Sequence, residues 1–273
     1  MYGVSDRNYY HRLGINLKIE LKNLGYKVRL VESRDDSLSS VIVTQEKLIE
    51  QGADILVMKI NNQTLIGRTL AVQKFKDYSF RDYSRPARDT SRGLMPPKLA
   101  KMMLNLSGAE LEDSVLDPFC GSGTILAEGL LMGFKNLVGT DIDKKAIEKT
   151  EGNISWLTDN VRNAHVRSLQ LFACDALKIH EEIEKIDYIV TEADLGPFNF
   201  NEKKKKEFEY FYSRVLQEFK KLNPKKIVIA VPAWRVGDKI IKLDLKTDYK
   251  IINRLIYGRE NANVLREIYI LEN

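Results

Sequence analysis

Apolar side chains in the first seventy residues alternate between helical and strand-like spacing. In "YYHRLGINLKIELKNLG" they recur at mostly helical spacing, which predicts a helix that stops at Gly25. "YKVRLVE" then alternates as a strand does, and "SSVIVTQEKLIEQG" predicts a second helix that ends near Gly52. "ADILVMKINNQTLIGRTL" predicts a β-hairpin with Asn61 and Asn62 in its turn. We therefore expect residues 1–70 to form a small α+β unit.

From about residue 113, short apolar segments typical of buried strands alternate with longer segments of helical spacing. Five strand-like segments follow one another: "DSVLDPF", "NLVGTDID", "LQLFACDA", "IDYIVTE" and "KKIVIAVPA". Helical segments such as "GTILAEGLLMG" and "KKKKEFEYFYSRVLQEFKKL" separate them. This alternation predicts an α/β fold with a parallel, doubly wound sheet over residues 99–273. "YKIINRLIYG" and "VLREIYILEN" add an antiparallel hairpin at the end, unlike the ordinary dinucleotide-binding fold.

Residues 71–98 differ in composition from both neighbouring regions, and we predict a basic and aromatic linker there. The segment mixes rings with cations, namely Tyr78, Phe80 and Tyr83 with Lys74, Lys76, Arg81, Arg85, Arg88 and Arg92. Such a mixture suits a surface that contacts phosphates and stacked bases. A polar connector that crosses the larger domain has the same composition, so both interpretations stay open. Pro96-Pro97 then predicts the start of the helix "KLAKMMLNLSG".

The composition narrows the class of protein only slightly. The chain has 273 residues, 44% of them hydrophobic, and a formal net charge of +5, which is a mild bias toward anionic partners. No apolar run reaches the roughly 18 residues of a membrane helix, and the N-terminus lacks a signal-peptide pattern. Two cysteines and three scattered histidines form neither a disulfide framework nor a metal motif. We therefore expect a cytoplasmic protein without a metal; the oligomeric state is not predicted.

The stretch "DPFCGSGTILAEG" (117–129) is the most specific in the chain. An acidic residue ends a predicted strand, a Gly-rich turn follows, and a helix begins at once. Glycines in such a turn let the backbone approach a ligand closely. The lysine of a phosphate-binding P-loop is missing, and Leu126 stands where a dinucleotide fingerprint requires a third glycine. The spacing therefore excludes both phosphate-binding motifs and disfavours an NAD-dependent oxidoreductase.

"DPFCGSGT" resembles motif I of the S-adenosylmethionine (SAM)-dependent methyltransferases that modify base amino groups in RNA and DNA. The resemblance implies a Rossmann-like methyltransferase sheet in which Asp117, Gly121 and Gly123 hold the methionine end of SAM. Asp141 in "GTDID" would then bind the ribose hydroxyls, and Asp175 in "ACDA" the adenine amine. Ligands bind at the carboxyl edge of such sheets, so acids at three successive strand ends would form one site. Neighbouring positions complete the implied cofactor site: Phe119, Thr124, Ile142 and Ala176.

A second resemblance covers nearly the whole chain. The segment "RDYSRPARDTSRGLMPPKLAKMMLNLSG" is similar to the approach segment of THUMP-domain tRNA guanosine-N2 methyltransferases. Residues 1–70 resemble the later half of a THUMP-type RNA-binding module, with "SSVIVTQEKL" and "TLIGRTLAVQ". A complete module would need more residues than precede Met1, so we expect a truncated or naturally shortened member. The resemblance implies an RNA partner, most simply tRNA, bound in part by Arg81, Arg85, Arg88 and Arg92.

The stretch "VTEADLGPF" (190–198) departs from this family's pattern, which is roughly "VTDPPYG". Glu192 stands where Asp or Asn belongs, Asp194 replaces a proline, and Leu195 replaces the aromatic residue. By resemblance these three positions are the catalytic ones, where an acceptor orients the exocyclic amine and a ring stacks on the flipped base. Glu192 can still accept a hydrogen bond, and Phe198 or Phe200 offers a substitute ring.

Three functions remain open from the sequence. The preferred one is a SAM-dependent RNA methyltransferase that modifies guanine N2 in tRNA. The first alternative is a DNA methyltransferase that acts on adenine N6 or cytosine N4, which uses the same sheet and loop. The second is a non-catalytic RNA-binding protein with a relict SAM pocket, which the altered loop favours and the intact "DPFCGSGT" disfavours.

Overall fold

The computed structural model describes residues 7–33, 37–61, 63–88, 94–161 and 169–273. The chain divides into two compact units, Met1–Ser79 and Phe80–Asn273. The sequence placed its first boundary near residue 70 and a linker over 71–98. That segment contains an additional helix, Phe75–Tyr83, which the apolar spacing did not predict.

The described residues of the first unit form two complete helices, one β-hairpin and the start of a third helix. Helix α1 (Arg7–Asn23) is followed by Gly25 at a φ of +88°, as the sequence predicts. Strands β1 (Ile55–Ile60) and β2 (Gln63–Arg68) pair antiparallel, with Ile60 opposite Gln63 across the predicted turn. Asn61 takes a positive φ of 48° in that turn, and Asn62 lies outside the described residues.

Two predictions in this unit were wrong. No strand forms over residues 26–32, all of which are described, because "YKVRLVE" has no hydrogen-bonded neighbour beside the two-stranded hairpin. Helix α2 (Ser40–Gln45) ends well before Gly52. Ser39 caps its start, and Lys47 adopts a left-handed φ of 51° that ends the helical conformation.

The second unit alternates strands and helices in the predicted order. Helix α3 (Phe75–Tyr83) crosses the division between the units along the chain, and α4 (Pro97–Ser107) follows. The remaining elements are β3 (Ser114–Asp117), α5 (Thr124–Met132), β4 (Asn136–Asp141), α6 (Lys144–Asn160), β5 (Leu169–Ala173), a 3₁₀ helix (Ala176–Glu181), β6 (Tyr188–Glu192), α7 (Glu202–Lys221), β7 (Lys226–Val236), β8 (Lys239–Ile241), β9 (Lys250–Tyr257) and β10 (Val264–Glu272).

The central sheet has the strand order β5-β4-β3-β6-β7-β10-β9, with the short β8 paired to β7. Strands β3 to β7 run parallel, whereas β10 is antiparallel to both β7 and β9. The chain thus returns from β9 to insert β10 beside β7. The strand order reverses between β3 and β6, and ligands of open α/β sheets bind at the carboxyl edge of such a switch point.

Two apolar layers cover the faces of the sheet. Helix α7 packs one face through Tyr212, Val215 and Phe219, the periodic apolar residues of its sequence. Helices α4 and α5 cover the other face, where Leu99, Met103 and Leu126 are fully buried. These layers hold the sheet in place, and with it the polar residues at the carboxyl ends of its strands. None of the described helices is long and apolar enough to span a membrane.

Candidate active site

The Gly-rich turn between β3 and α5 has a backbone that requires glycine. Gly121 and Gly123 have φ values of +56° and +79°. A Cβ at position 123 would lie 2.7 Å from Cγ2 of Thr150, closer than carbon atoms can approach. The Thr150 hydroxyl donates to the Gly121 carbonyl oxygen at 3.0 Å, and the Asn153 amide donates to that of Ser122 at 2.8 Å. Helix α6 therefore holds the turn in one conformation.

Asp117 ends β3 as a buried carboxylate. One of its oxygens accepts from the Thr191 hydroxyl at 2.6 Å and from the Phe119 amide at 3.3 Å. Burial raises the pKa of Asp117 to about 7; these two hydrogen bonds oppose the rise, and the charges of Asp141 and Glu192 add to it. This carboxylate lies at the switch point and would be stabilised in its charged form by a cation.

Asp141 ends β4 and Asp175 lies two residues after β5, the next two strands along the chain. The Asp141 carboxylate accepts from the Gly121 amide at 3.1 Å and from the Asp143 amide at 2.9 Å. Asp175 accepts from the Leu177 amide at 2.9 Å and caps the 3₁₀ helix. Since β3, β4 and β5 are neighbours, the sheet brings all three acids to one edge. Both carboxylates are only half-buried and keep acceptor capacity for a ligand.

The other residues assigned to the cofactor site occupy different environments. The Ile142 side chain is 72% exposed next to Asp141, whereas Ala176 is buried. The Phe119 ring is half-buried and lies 5.9 Å from the Phe211 ring. The buried Thr124 hydroxyl accepts a hydrogen bond from Arg85 at 2.6 Å. Of this group, Ile142 is the apolar side chain most accessible to a ligand.

Glu192, at the carboxyl end of β6, is paired with Arg266 of β10. The guanidinium group donates to both carboxylate oxygens, and its second contact is 3.0 Å long. The same guanidinium donates to the Leu94 carbonyl oxygen at 3.4 Å. Burial raises the pKa of Glu192, while the hydrogen bonds and the charge of Arg266 act to lower it. Glu192 is thus a fixed carboxylate with an arginine partner.

The loop after Glu192 is held by side chains from α7 and β7. The Tyr212 hydroxyl donates to the Asp194 carbonyl oxygen at 3.4 Å, and the Trp234 indole donates to that of Pro197 at 3.1 Å. The side chain of Asp194 accepts from the Gly196 amide at 2.9 Å. Leu195 is only 7% exposed. These contacts restrain a loop that lacks the two prolines of the family pattern.

The two rings considered as substitutes for the missing aromatic residue differ in accessibility. Phe198 is 73% exposed on the loop. Phe200 packs against Trp234, with ring centroids 5.9 Å apart. Leu195 is buried and offers no exposed surface for stacking. Phe198 is therefore the ring that a base could reach.

The basic residues before α4 are largely engaged inside the second unit. Arg81 donates two hydrogen bonds, at 2.6 and 3.2 Å, to the buried carboxylate of Glu128. Arg85 is 7% exposed, and its Nε and Nη2 atoms are buried without a hydrogen-bond partner among the described residues. Arg88 lies over the Tyr83 ring at 4.9 Å, and Arg92 lies outside the described residues. Of the two interpretations of this segment, a polar connector describes Arg81 and Arg85 better than an RNA-facing surface does.

Several residues of the site were missed from the sequence. Arg266, Thr191 and Trp234 all contact the predicted residues or their loop. Arg266 had a detectable signal, because it interrupts the row of apolar residues that alternate along "VLREIYI". A charge at such an inward position predicts a buried partner. No group of three His, Cys, Asp or Glu side chains among the described residues could hold a metal ion.

Comparisons with known proteins found tRNA methyltransferases among the similar sequences. The chain is 37% identical over 138 residues to the tRNA (guanine(10)-N2)-dimethyltransferase of Methanothermobacter thermautotrophicus, which covers 50% of this chain and 38% of the relative. It is 24% identical over 263 residues to the enzyme of the same name from Pyrococcus abyssi, which covers 94% of this chain and 71% of that relative. The chain thus spans well under half of the first relative's length.

Two solved structures share the fold. TrmN from Thermus thermophilus superposes with a TM-score of 0.55 at 16% identity, over all of this chain and 69% of its own. A putative methyltransferase complexed with SAH superposes with a TM-score of 0.53 at 14% identity, over 81% of this chain and 62% of its own. Identities this low establish a common fold and nothing more.

The match to a protein family covers most of the second unit. Residues 85–256, more than half of the chain, match the family model described as "UPF0020: RMKL-like, methyltransferase domain". This range contains the Gly-rich turn, the three acids at the strand ends and the loop after β6. The predicted methyltransferase sheet is confirmed, and the chain belongs to the RMKL-like methyltransferase domain family.

Proposed function

We propose that this chain is a SAM-dependent RNA methyltransferase that modifies guanine N2 in tRNA. The observation that carries the proposal is the set of carboxylates on four neighbouring strands. Asp175 lies two residues after β5, Asp141 and Asp117 end β4 and β3, and Glu192 ends β6. The first three would hold the cofactor and the fourth would face the acceptor base. The curated relatives, which are named as tRNA guanine-N2 enzymes, support this choice of substrate.

The residues present fit a SAM molecule. Gly121 and Gly123 adopt positive φ, and a turn of two glycines would let the methionine end approach the backbone closely. Asp117 is a buried carboxylate and suits the ligand's ammonium group. Asp141 offers acceptors for two ribose hydroxyls, and the exposed Ile142 offers an apolar surface for the adenine. The solved relative in complex with SAH is consistent with this assignment.

The residues of this chain contribute mainly alignment. SAM, when bound, would supply an electrophilic methyl group to the amine nitrogen, with the electron pair of the broken bond left on sulfur and the amine proton released to solvent. Glu192 would accept a hydrogen bond from the amine and so direct the nitrogen lone pair at the methyl group. The backbone over residues 193–195, held by Tyr212 and buried Leu195, would fix the distance.

Binding of the RNA would use residues outside the cofactor site. Phe198 is exposed on the loop and would stack on the flipped base. The first unit resembles part of a THUMP-type module and would bind the body of the tRNA. A tRNA substrate is consistent with the expected cytoplasmic location. Arg88 and Arg92 stay predictions as RNA contacts, whereas Arg81 and Arg85 would support the domain from within.

A competition experiment tests this function. A labelled methyl group from SAM should be incorporated into unmodified tRNA, and an equal nucleotide concentration of duplex DNA should not reduce the incorporation. Transfer to the DNA instead would favour the amino-methyltransferase of adenine or cytosine. The first unit, which resembles part of an RNA-binding module, favours RNA over DNA. Offering tRNA and duplex DNA together as methyl acceptors therefore distinguishes the two alternatives.

One observation favours a second candidate, an RNA-binding protein without catalysis. Both oxygens of Glu192 already accept hydrogen bonds from Arg266, and this pairing would also stabilise a loop that has lost its chemistry. Such a protein would bind tRNA and SAM but transfer no methyl group to any tRNA offered.

A further inference from the structure

The pair formed by Glu192 and Arg266 joins strands that are not neighbours. Strand β7 lies between β6 and β10, with Ala230 beside Glu192 and Pro232 beside Arg266 in the register. The long arginine side chain therefore reaches across β7 to the end of β6. The exposed fractions of the two side chains are 9% for Glu192 and 13% for Arg266. A buried charge pair of this kind is stable only when its hydrogen bonds are well made.

The geometry leaves Glu192 able to contact a ligand. Each carboxylate oxygen can accept about two hydrogen bonds, and Arg266 uses one on each. The guanidinium is in turn held by the Leu94 carbonyl oxygen at 3.4 Å, just before α4. The carboxylate orientation is thus set by two elements, β10 and the segment before α4. The remaining acceptor positions would serve an amine that approaches from the carboxyl edge.

We propose that Arg266 is a positioning residue that keeps Glu192 ionised and oriented toward the exocyclic amine of the substrate base. This inference rests on the proposed function for its substrate. It explains how a glutamate, longer and looser than the Asp or Asn of the related pattern, serves at this position. The arginine restricts the additional rotatable bond, so Glu192 presents its acceptors as a shorter side chain would.

The charges around Glu192 define the control experiments. Arg266 on β10 is the cation that acts on it. Asp117 on β3 and Tyr212 on α7 are the other ionisable groups whose pKa values respond to its charge. The pKa of Tyr212 is raised well above its usual value, mainly by burial, so Tyr212 stays neutral. Burial raises the pKa of Asp117 to about 7, so Asp117 can also make activity depend on pH. Comparison of Arg266→Met with Glu192→Gln separates the contribution of Glu192 to the pH profile from that of Asp117.

The test is the pH profile of methyl transfer to tRNA by the full chain. In Arg266→Met, burial would act on Glu192 unopposed, so the acid limb of kcat should move up by about one pH unit or more. On the acid side of this limb kcat should fall about tenfold at a given pH, with KM for SAM unchanged within about threefold. Arg266→Lys keeps the positive charge, so the acid limb of kcat should stay at the wild-type pH. Its kcat should still fall in part. Glu192→Gln should remove this limb.

Arg254→Met is the matched control. Arg254 on β9 pairs at 2.9 Å with Glu267, a fully buried carboxylate of the same strand β10. Glu267 follows Arg266 directly and points to the opposite face of the sheet. Loss of this pair should lower stability without moving the pH profile. An equal shift in Arg254→Met and Arg266→Met, or no shift in either, would overturn the proposal.

Thermal unfolding supplies a readout that does not depend on activity. Burial already holds the folded pKa of Glu192 above its usual value, and loss of Arg266 would raise this pKa further, so more stability would be lost as pH rises through it. Arg266→Met should therefore lose more stability relative to wild type at pH 8 than at pH 5. A deficit that is constant with pH would contradict the ion pair. If wild type transfers no methyl group, the proposed function fails, the positioning role fails with it, and the unfolding curves alone decide whether Arg266 keeps Glu192 ionised.

Discussion

Gly123 is the residue at which the backbone constraint of the cofactor turn is strongest. Its φ of +79° is one that an alanine adopts only with strain, and a Cβ there would lie 2.7 Å from Cγ2 of Thr150. We expect Gly123→Ala to lower the free energy of unfolding by about 2–4 kcal/mol and to abolish SAM binding in calorimetry. Gly152→Ala is the control.

Gly152 lies within helix α6, and a Cβ there would meet no atom within 4 Å. Alanine should therefore stabilise the helix by about 0.5–1 kcal/mol and leave SAM binding unchanged. Equal SAM affinities for the two variants would contradict the assignment of the turn to the cofactor.

Asp117 should make stability depend on pH in a defined direction. Its folded pKa of about 7 lies above the value of 3.8 for an unperturbed aspartate, so the folded state binds more protons between these limits. The stability that this group contributes is complete below pH 4 and is lost as pH rises through 7. Asp117→Asn should therefore be more stable than wild type at pH 8, by about 2 kcal/mol, with less or no advantage at pH 4. Chemical denaturation at both pH values measures this difference, and an advantage that grew toward pH 4 would contradict it.

Individual residues could be predicted where they lie in a local motif. Asp117, Gly121 and Gly123 belong to one short stretch, and its resemblance to motif I assigned all three to the cofactor site. Arg266 lies 74 residues from its partner Glu192, and only the return of β10 beside β7 brings the two together. Arg81 and Arg85 were expected at the surface as well, because a sequence shows that an arginine is cationic but not that a buried glutamate or threonine receives it.

The loop from β6 to α7 contains two phenylalanines that play different parts. Phe198 is 73% exposed, and Phe200 packs on Trp234. Phe198→Ala should change the free energy of unfolding by less than about 0.5 kcal/mol but weaken tRNA binding about tenfold, since a stacked base contributes about 1–3 kcal/mol. Phe200→Ala should lower stability by about 1–3 kcal/mol through lost packing. Binding titrations and denaturant unfolding of both variants check this; unchanged tRNA affinity in Phe198→Ala would remove the stacking role.

Whole elements were predicted well where the apolar pattern extends over a long segment. Every strand of the parallel sheet and helix α7 follow from periodicity and length, because buried strands and amphipathic helices leave unambiguous patterns. The failures came from short segments. "YKVRLVE" alternates but has no neighbour to pair with, and strand formation depends on a partner that the segment itself does not specify.

The whole chain consists of two units whose roles we expect to be separable. Residues 80–273 contain the sheet, both apolar layers and every proposed SAM contact. A chain without residues 1–79 should therefore still bind SAM with an affinity within about threefold of the full chain. Its tRNA affinity should drop at least about tenfold, since the contacts proposed between the first unit and the body of the tRNA are lost. Full tRNA affinity in the shortened chain would place the RNA contacts in the second unit instead.

The central claim is that the altered loop around Glu192 still supports methyl transfer to a guanine amine. The most direct test is nucleoside analysis of unmodified tRNA after incubation with SAM and wild type, beside Glu192→Ala. The account predicts N2-methylated guanosine with wild type and a loss of at least about a hundredfold in the variant. Methylation at another atom, or equal product from both proteins, would contradict it, as would the absence of product from a wild-type sample that binds both SAM and tRNA.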